Sequence, residues 1–282
     1  MKQQEKLLLI DGNALLHRAY HALPRLTDKR GRLVNAVYGF TSILLKVLRK
    51  LKPKYTAATF DLAPPTFRHK IFKEYKAKRI KAPQELYDQL PLVKNMLKVF
   101  NIPVFEKEGF EADDIIGTIC KKSTVNNLIL TGDLDTLQLI NKDTSVLIGL
   151  KDMVIYDENK IQQRYGLKPK QIIDFKALKG DPSDNIPGVL GIGEKTAIEL
   201  LKKYKTLADI YANLDSIKQS TRKKIEDQEE QAFFSKKLAT IECNVPIKFD
   251  LEKCLTKNYE KNEVIKFLQE LGFQSLIKRL RN

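Results

Sequence analysis

Four stretches of this 282-residue chain end a short apolar run in carboxylates: LLLID at Asp11, AATFD at Asp61, LILTGDLD at Asp133 and Asp135, and GFEADD at Glu111, Asp113 and Asp114. Short apolar runs bounded by turn residues read as strands buried on both faces, as in a parallel sheet. Ligands of such sheets bind beyond the carboxyl ends of the strands. The acids are therefore expected to meet in one crevice. Carboxylates held close together repel one another unless a divalent cation lies between them, and hard oxygen donors suit Mg²⁺ or Mn²⁺. A metal-dependent phosphate-transfer site follows as the first expectation.

Residues 7–10, 55–60, 102–105, 128–130 and 145–148 read as strands, separated by helical patterns such as 36–50 and 85–100. Pro91 is expected to kink or break the second of these helices. Strands alternating with helices predict an α/β fold with a mainly parallel central sheet flanked by helices. Strand signals fade after about residue 156, and residues 161–280 carry a helical pattern punctuated at Gly166, 180–187 and 188–193. The expected organisation is an α/β core over residues 1–160 and a helical region over 161–282, without internal repeats.

Fifty Lys and Arg against thirty-five Asp and Glu give a net charge of +15, which suits either a polyanionic partner or simply a lysine-rich composition. The distribution of charge separates these. Residues 66–81, TFRHKIFKEYKAKRIK, carry Arg68, Lys70, Lys73, Lys76, Lys78, Arg79 and Lys81 against the single acid Glu74, with Phe67, Phe72 and Tyr75 interleaved. Cations neutralise phosphates and exposed aromatics stack on unpaired bases. A solvated helix face is the plainer account, but the run closely follows Asp61. Cys120, Cys243 and Cys254 have neither zinc-site spacing nor an even count, so reduced, buried thiols are expected. The apolar run at the amino terminus is too short for a signal-peptide core, and no run is long enough to span a bilayer. A cytoplasmic protein without a membrane partner is expected.

Each motif also has a simpler account. Asp11 or Asp61 alone is as readily a cap or turn former. Glu111, Asp113 and Asp114 fall in the first turn of a predicted helix, where they complement its dipole; Glu111 and Asp114 share a face and Asp113 is splayed from it. Asp181 and Asp184 in GDPSDNIPG could form a turn with a cap. Spacing alone leaves a shared metal site and a set of separate caps equally open. GVLGIGEKTAIELLKKY, residues 188–204, is not a P-loop, because Glu194 separates Gly193 from Lys195 and no strand precedes it. A tight glycine hairpin opening a helix could hold a backbone phosphate through free N–H groups and Lys195, or could be a turn between packed helices. His17 and His21 lack a third nitrogen or sulfur ligand, and no G-x-S-x-G elbow supports covalent catalysis.

Taken in order from about residue 7 to 241, LLLIDGNALLHRAYHALP, FDLAPPTFRHKIFKEYKAKR, GFEADDIIGT, LTGDLD, IIDFKALKGDPSDNIPGVLGIGEKTA and AFFSKKLATI resemble the 5′ nuclease domain at the amino terminus of the bacterial DNA polymerase I family. The resemblance implies a PIN-like nuclease core with a helical arch over residues 66–81 and a helix-hairpin-helix at 188–204. It implies that Asp11, Asp61, Glu111, Asp113, Asp114, Asp133, Asp135, Asp181 and Asp184 surround two or more divalent ions, directly or through water. It places Arg18, Arg68, Lys76 and Arg79 near the scissile phosphate as catalytic cations. It assigns Tyr75, Lys70, Lys73 and Lys78, with Gly188, Gly191, Gly193, Lys195 and Thr196 of the hairpin, to DNA contact, commonly with K⁺ at the hairpin.

The implied activity is 5′-3′ exonuclease and 5′-flap endonuclease cleavage in DNA replication and repair. The implied substrates are DNA with a 5′ flap, nick or overhang, and RNA-primed DNA. A monomer in the bacterial nucleoid is expected, with a polymerase as a domain of the same chain or a separate protein. A catalytically silent junction-binding protein and a related metal-dependent ribonuclease are the alternatives. Leu134 replaces a basic residue common in such a T-G-D-x-D, and Leu190 a frequent hairpin proline; activity is expected to survive both.

Overall fold

The computed structural model describes residues 5–149, 153–256 and 259–281. The apolar runs form β1 (Lys6–Asp11), β2 (Tyr55–Thr59), β3 (Val104–Phe105), β4 (Asn126–Leu130) and β5 (Thr144–Ile148). With β6 (Val154–Tyr156) they make one sheet of order β3-β2-β1-β4-β5-β6, parallel throughout except for the β5–β6 pair. The antiparallel edge strand β6 departs from the sequence expectation. Three residues at a sheet edge, with Ile155 exposed, carry too little periodicity to announce a strand.

β1 lies at the centre, paired in register with both β2 and β4. Leu7, Leu8, Leu9 and Ile10 have no exposed surface. Leu8 and Ile10 enter one core, Leu7 and Leu9 the other, because successive strand side chains point to opposite faces and helices cover both. Each such burial contributes about 1.5–3 kcal/mol, so a one-residue slip that moved Asp11 would unseat four core side chains.

The 85–100 pattern divides into Gln84–Tyr87 and Leu90–Val99. Pro91 falls in the first turn of the second helix, where a missing N–H costs nothing. Helices Gln171–Lys179, Glu194–Tyr204, Leu207–Ala212, Gln219–Glu226 and Glu229–Ala239 surround a third core that includes Leu178, Val189, Leu201 and Ile210. Helices Lys261–Glu270 and Gln274–Arg281 turn back and bury Val264, Leu268 and Leu276 in the first core, beside Asn35–Leu51 and Leu90–Val99.

Residues 66–81 are not a continuous helix. Only Phe67–Ile71 is helical, and turns follow as far as Lys78. The reason is local: Lys76 has φ 57, in the left-handed region, and its N–H donates to Asp184 O at 3.0 Å instead of to a helical neighbour. A left-handed non-glycine residue costs on the order of 1–3 kcal/mol and persists where its surroundings dictate it. Among the described residues, no helix is long and apolar enough to cross a membrane.

Candidate active site

The carboxyl edge of the sheet gathers the predicted acids. Asp11 ends β1, caps the helix Gly12–Ala22 through Ala14 N–H (3.0 Å) and accepts the Thr131 hydroxyl at 2.7 Å. Burial pushes its carboxyl up to about 6, against those two hydrogen bonds and helped by the charges of Asp61 and Asp133. Asp61 follows β2 and accepts Ala112 N–H at 2.7 Å, tying itself to the start of the helix Ala112–Lys122. Burial raises its pKa as well. Asp133, after β4, accepts Asp135 N–H at 2.8 Å, and burial raises it too. Cap and site coincide here: the same carboxylates that start helices also feel one another's charge.

Glu111, Asp113 and Asp114 present carboxylate oxygens within 4.8 Å of one another. Glu111 and Asp114 form a reciprocal capping box at the helix start, which leaves Asp113 splayed into the cluster. Asp113 Oδ1 is buried without a hydrogen-bond partner. Burial first, and then the adjacent Asp114, hold its pKa well above the usual carboxylate range.

Asp114 has a different occupation. Its Oδ1 accepts from Arg68 Nη2 and Glu242 N–H, and its Oδ2 from Arg68 Nη1 and Glu111 N–H, at 2.8–3.0 Å. Four bonds use the lone pairs of a carboxylate, so Asp114 positions its neighbours. Arg68 likewise departs from the phosphate contact expected of it. It is 1% exposed, and its remaining N–H groups bind Glu111 Oε2 (3.1 Å), Leu238 O (2.9 Å) and Thr240 O (2.8 Å). Tyr75 is also buried, so no base can stack on it; its hydroxyl lies 3.0 Å from Glu111 Oε2 and 3.2 Å from Asp184 Oδ2.

Lys76 and Arg79 reach the acids from the same segment. Lys76 Nζ lies 2.5 Å from Glu111 Oε1 and 3.8 Å from Asp184 Oδ2, and Arg79 Nη2 lies 2.5 Å from Asp184 Oδ1. Burial disfavours the Lys76 charge, but Glu111 and Asp184 outweigh it and raise its pKa. Lys70, Lys73, Lys78 and Arg18 are exposed.

Lys176, which the sequence patterns did not single out, bridges Asp135 and Asp181. Burial opposes ionisation of Asp181, yet Lys176 and Ser183 hold its carboxyl down at about 2. These groups line a cleft of about 610 Å³ together with Asp133, Arg79 and Glu194.

The glycine hairpin leads from Gln171–Lys179 into Glu194–Tyr204, with Lys195 and Thr196 in the opening turn. Gly191, Gly193 and Lys195 are exposed, and Leu190 is 79% exposed at the tip. Leu190 N–H donates to Gln228 Oε1 at 2.8 Å, a bond that a proline could not make, so a side chain braces the hairpin. Gly188 has φ 65, and a Cβ there would lie 2.3 Å from Gly180 N. Gly188→Ala is therefore expected to cost about 2–4 kcal/mol, read by urea denaturation. A change below about 0.5 kcal/mol, the scatter of neutral surface substitutions, would refute the close approach.

Residues 6–166 match the model of the 5′-3′ exonuclease N-terminal resolvase-like domain, and residues 167–262 that of the 5′-3′ exonuclease C-terminal SAM fold. DNA polymerase I of Caldicellulosiruptor bescii is 45% identical over 285 residues, covering 98% of this chain and 33% of the relative. The chain thus spans about a third of the length of that relative. Among solved structures, the T5 D15 protein co-crystallised with metal ions superposes with a TM-score of 0.70 at 19% identity, covering 98% of this chain and 97% of the other. The catalytic core of Rad2 in complex with DNA substrate gives 0.67 at 17%, covering 98% and 93%. The two structures share the fold of this chain, and the two domain models together account for residues 6–262: the chain belongs to the 5′-3′ exonuclease family.

Proposed function

We propose that this protein hydrolyses DNA phosphodiesters near the junction of a 5′ single strand and duplex, acting as a 5′-3′ exonuclease and 5′-flap endonuclease with Mg²⁺ or Mn²⁺. The observation that carries this is the buried, unpartnered Asp113 Oδ1 inside a cluster of carboxylates. The donor set fits hard divalent ions: Glu111, Asp113 and Asp114 bring oxygens together, Asp11 feels the charges of Asp61 and Asp133, and Asp133 that of Asp184, so these carboxylates would hold the ions, with Asp135 and Asp181 beside them. Such ions, when bound, lower the pKa of a water and neutralise charge on the phosphate.

The chain's own residues do the rest. Lys76 and Arg79, once drawn from Glu111 and Asp184 by a phosphate, place positive charge where negative charge develops. Arg18, Lys70, Lys73 and Lys78 extend the positive surface along the 5′ strand, where Ile80, 98% exposed, offers an apolar contact to a base. Gly191, Gly193 and Lys195 hold the duplex backbone. The water oxygen ends on the 5′-phosphate, the P–O3′ bond breaks, and a proton ends on the leaving 3′-hydroxyl.

We take residues 1–160 as the catalytic core and 161–282 as the duplex-holding region. Flapped, nicked, overhanging and RNA-primed DNA are the substrates, and a bacterial polymerase is the working partner of a monomer acting in the cytoplasm. A 5′-flap duplex is expected to be cut near the junction with Mg²⁺ or Mn²⁺ and left intact with chelator. Binding without metal-stimulated cleavage would identify a silent junction-binding protein, and preference for matched RNA a ribonuclease.

A further inference from the structure

The helix Glu229–Ala239 is gripped at both ends by different parts of the molecule. Near its amino end the hairpin is attached. Gln228 accepts Leu190 N–H at 2.8 Å and donates to Leu190 O at 3.3 Å, and Gln231 donates to Gly188 O at 2.7 Å; beyond the middle of the helix the buried Ser235 hydroxyl accepts Gly188 N–H at 3.0 Å. At its carboxyl end the acids are attached. The last carbonyls of a helix have no partner within it and carry partial negative charge. Here Arg68 takes Leu238 O and Thr240 O, Gln138 takes Ala239 O, and Gln138 Oε1 and Asp114 Oδ1 accept Ile241 N–H and Glu242 N–H. Arg68 and Asp114 are the pair that orients Glu111. Gln138 also donates to Asp135 O.

We propose that this helix is the gauge that selects the scissile phosphodiester, transmitting the position of the duplex-holding hairpin to the carboxylates. Eleven residues make a rigid rod about 16 Å long. Successive nucleotides along a strand lie about 3.4 Å apart, so the hairpin must stay fixed to within less than that for cleavage to fall at one position. Polar side chains at both ends, rather than apolar contact alone, provide that fixity, because hydrogen bonds define register where packing tolerates sliding.

The inference rests on the nuclease function proposed above. Its test is the double variant Gln228→Ala/Gln231→Ala on an end-labelled 5′-flap duplex with one fixed junction. The unmodified protein is expected to give one dominant product length. The variant is expected to spread cleavage to adjacent phosphodiesters, lowering the ratio of dominant to neighbouring products at least tenfold, while its thermal midpoint shows it folded. If the double variant does not fold, Gln231→Ala alone is expected to shift the same ratio in the same direction. Unchanged product lengths in a folded variant overturn the gauge alone, whereas no cleavage by the unmodified protein overturns the nuclease function with it.

Discussion

Asp113→Asn is expected to abolish metal-dependent cleavage, by about 10³-fold or more, while making the metal-free protein more stable. The two effects share one cause. A loss of that size is about 4 kcal/mol of transition-state stabilisation, the scale of removing one preorganised group from a reacting charge. The buried Asp113 carboxylate meanwhile burdens the fold without metal, because burial and the adjacent Asp114 disfavour its ionised form, a cost that the neutral amide of asparagine does not carry. The pH dependence has a definite sign. Asp113 has a folded pKa above its unfolded value, so the folded chain binds the proton more tightly and metal-free stability falls as pH rises. Asp11 adds a loss between its ordinary 3.8 and about 6. At pH 8 in chelator, the unfolding midpoint of Asp113→Asn should exceed that of the parent, and Mn²⁺ should raise only the parent's. A variant less stable in chelator, or equal metal stabilisation of both, would remove Asp113 from the site.

The central sheet was legible because its strands are buried on both faces and read as unbroken apolar runs. β6 was not, being a three-residue edge strand. Asp11, Asp61 and Asp133 were legible for the same reason as the strands, since each ends a strand or lies within three residues of its end. Asp181 and Asp184 sit in a Gly- and Pro-rich loop whose local pattern fits an ordinary turn, and only family resemblance drew them in. Lys176 carried no signal: its partner Asp135 lies 41 residues away, and although Asp181 is five residues on, one of two lysines in DFKALKGD marks nothing locally. Gln228 and Gln138 were missed likewise, because an amide that satisfies distant backbone groups has no spacing to recognise. The arch failed as a continuous helix because tertiary contacts outbid helix propensity. Lys76 and Arg79 are drawn to Glu111 and Asp184, and the backbone between Phe72 and Arg79 follows them.

Arg68→Ala is expected to cost about 3–5 kcal/mol of folding stability, the penalty for stranding buried charge after one partner is removed. The family resemblance implied Arg68 beside a phosphate, and a phosphate contact makes a different prediction: unchanged stability, with the salt slope of DNA binding reduced by about 1. The structure favours the first outcome. The guanidinium is buried, holds Asp114 through two bonds of 2.8 Å, and spends its other donors on Glu111, Leu238 O and Thr240 O. Arg68→Lys should recover little, because an ammonium cannot reproduce the planar fork. Urea unfolding of Arg68→Ala, Asp114→Ala and the double variant would separate the contributions. Removing both charges leaves no stranded carboxylate at 114, so the double variant should lose less than the sum of the singles, by a coupling of about 1–3 kcal/mol. Strict additivity, or a near-neutral Arg68→Ala, would return Arg68 to the phosphate and leave Asp114 to be held by backbone N–H groups alone.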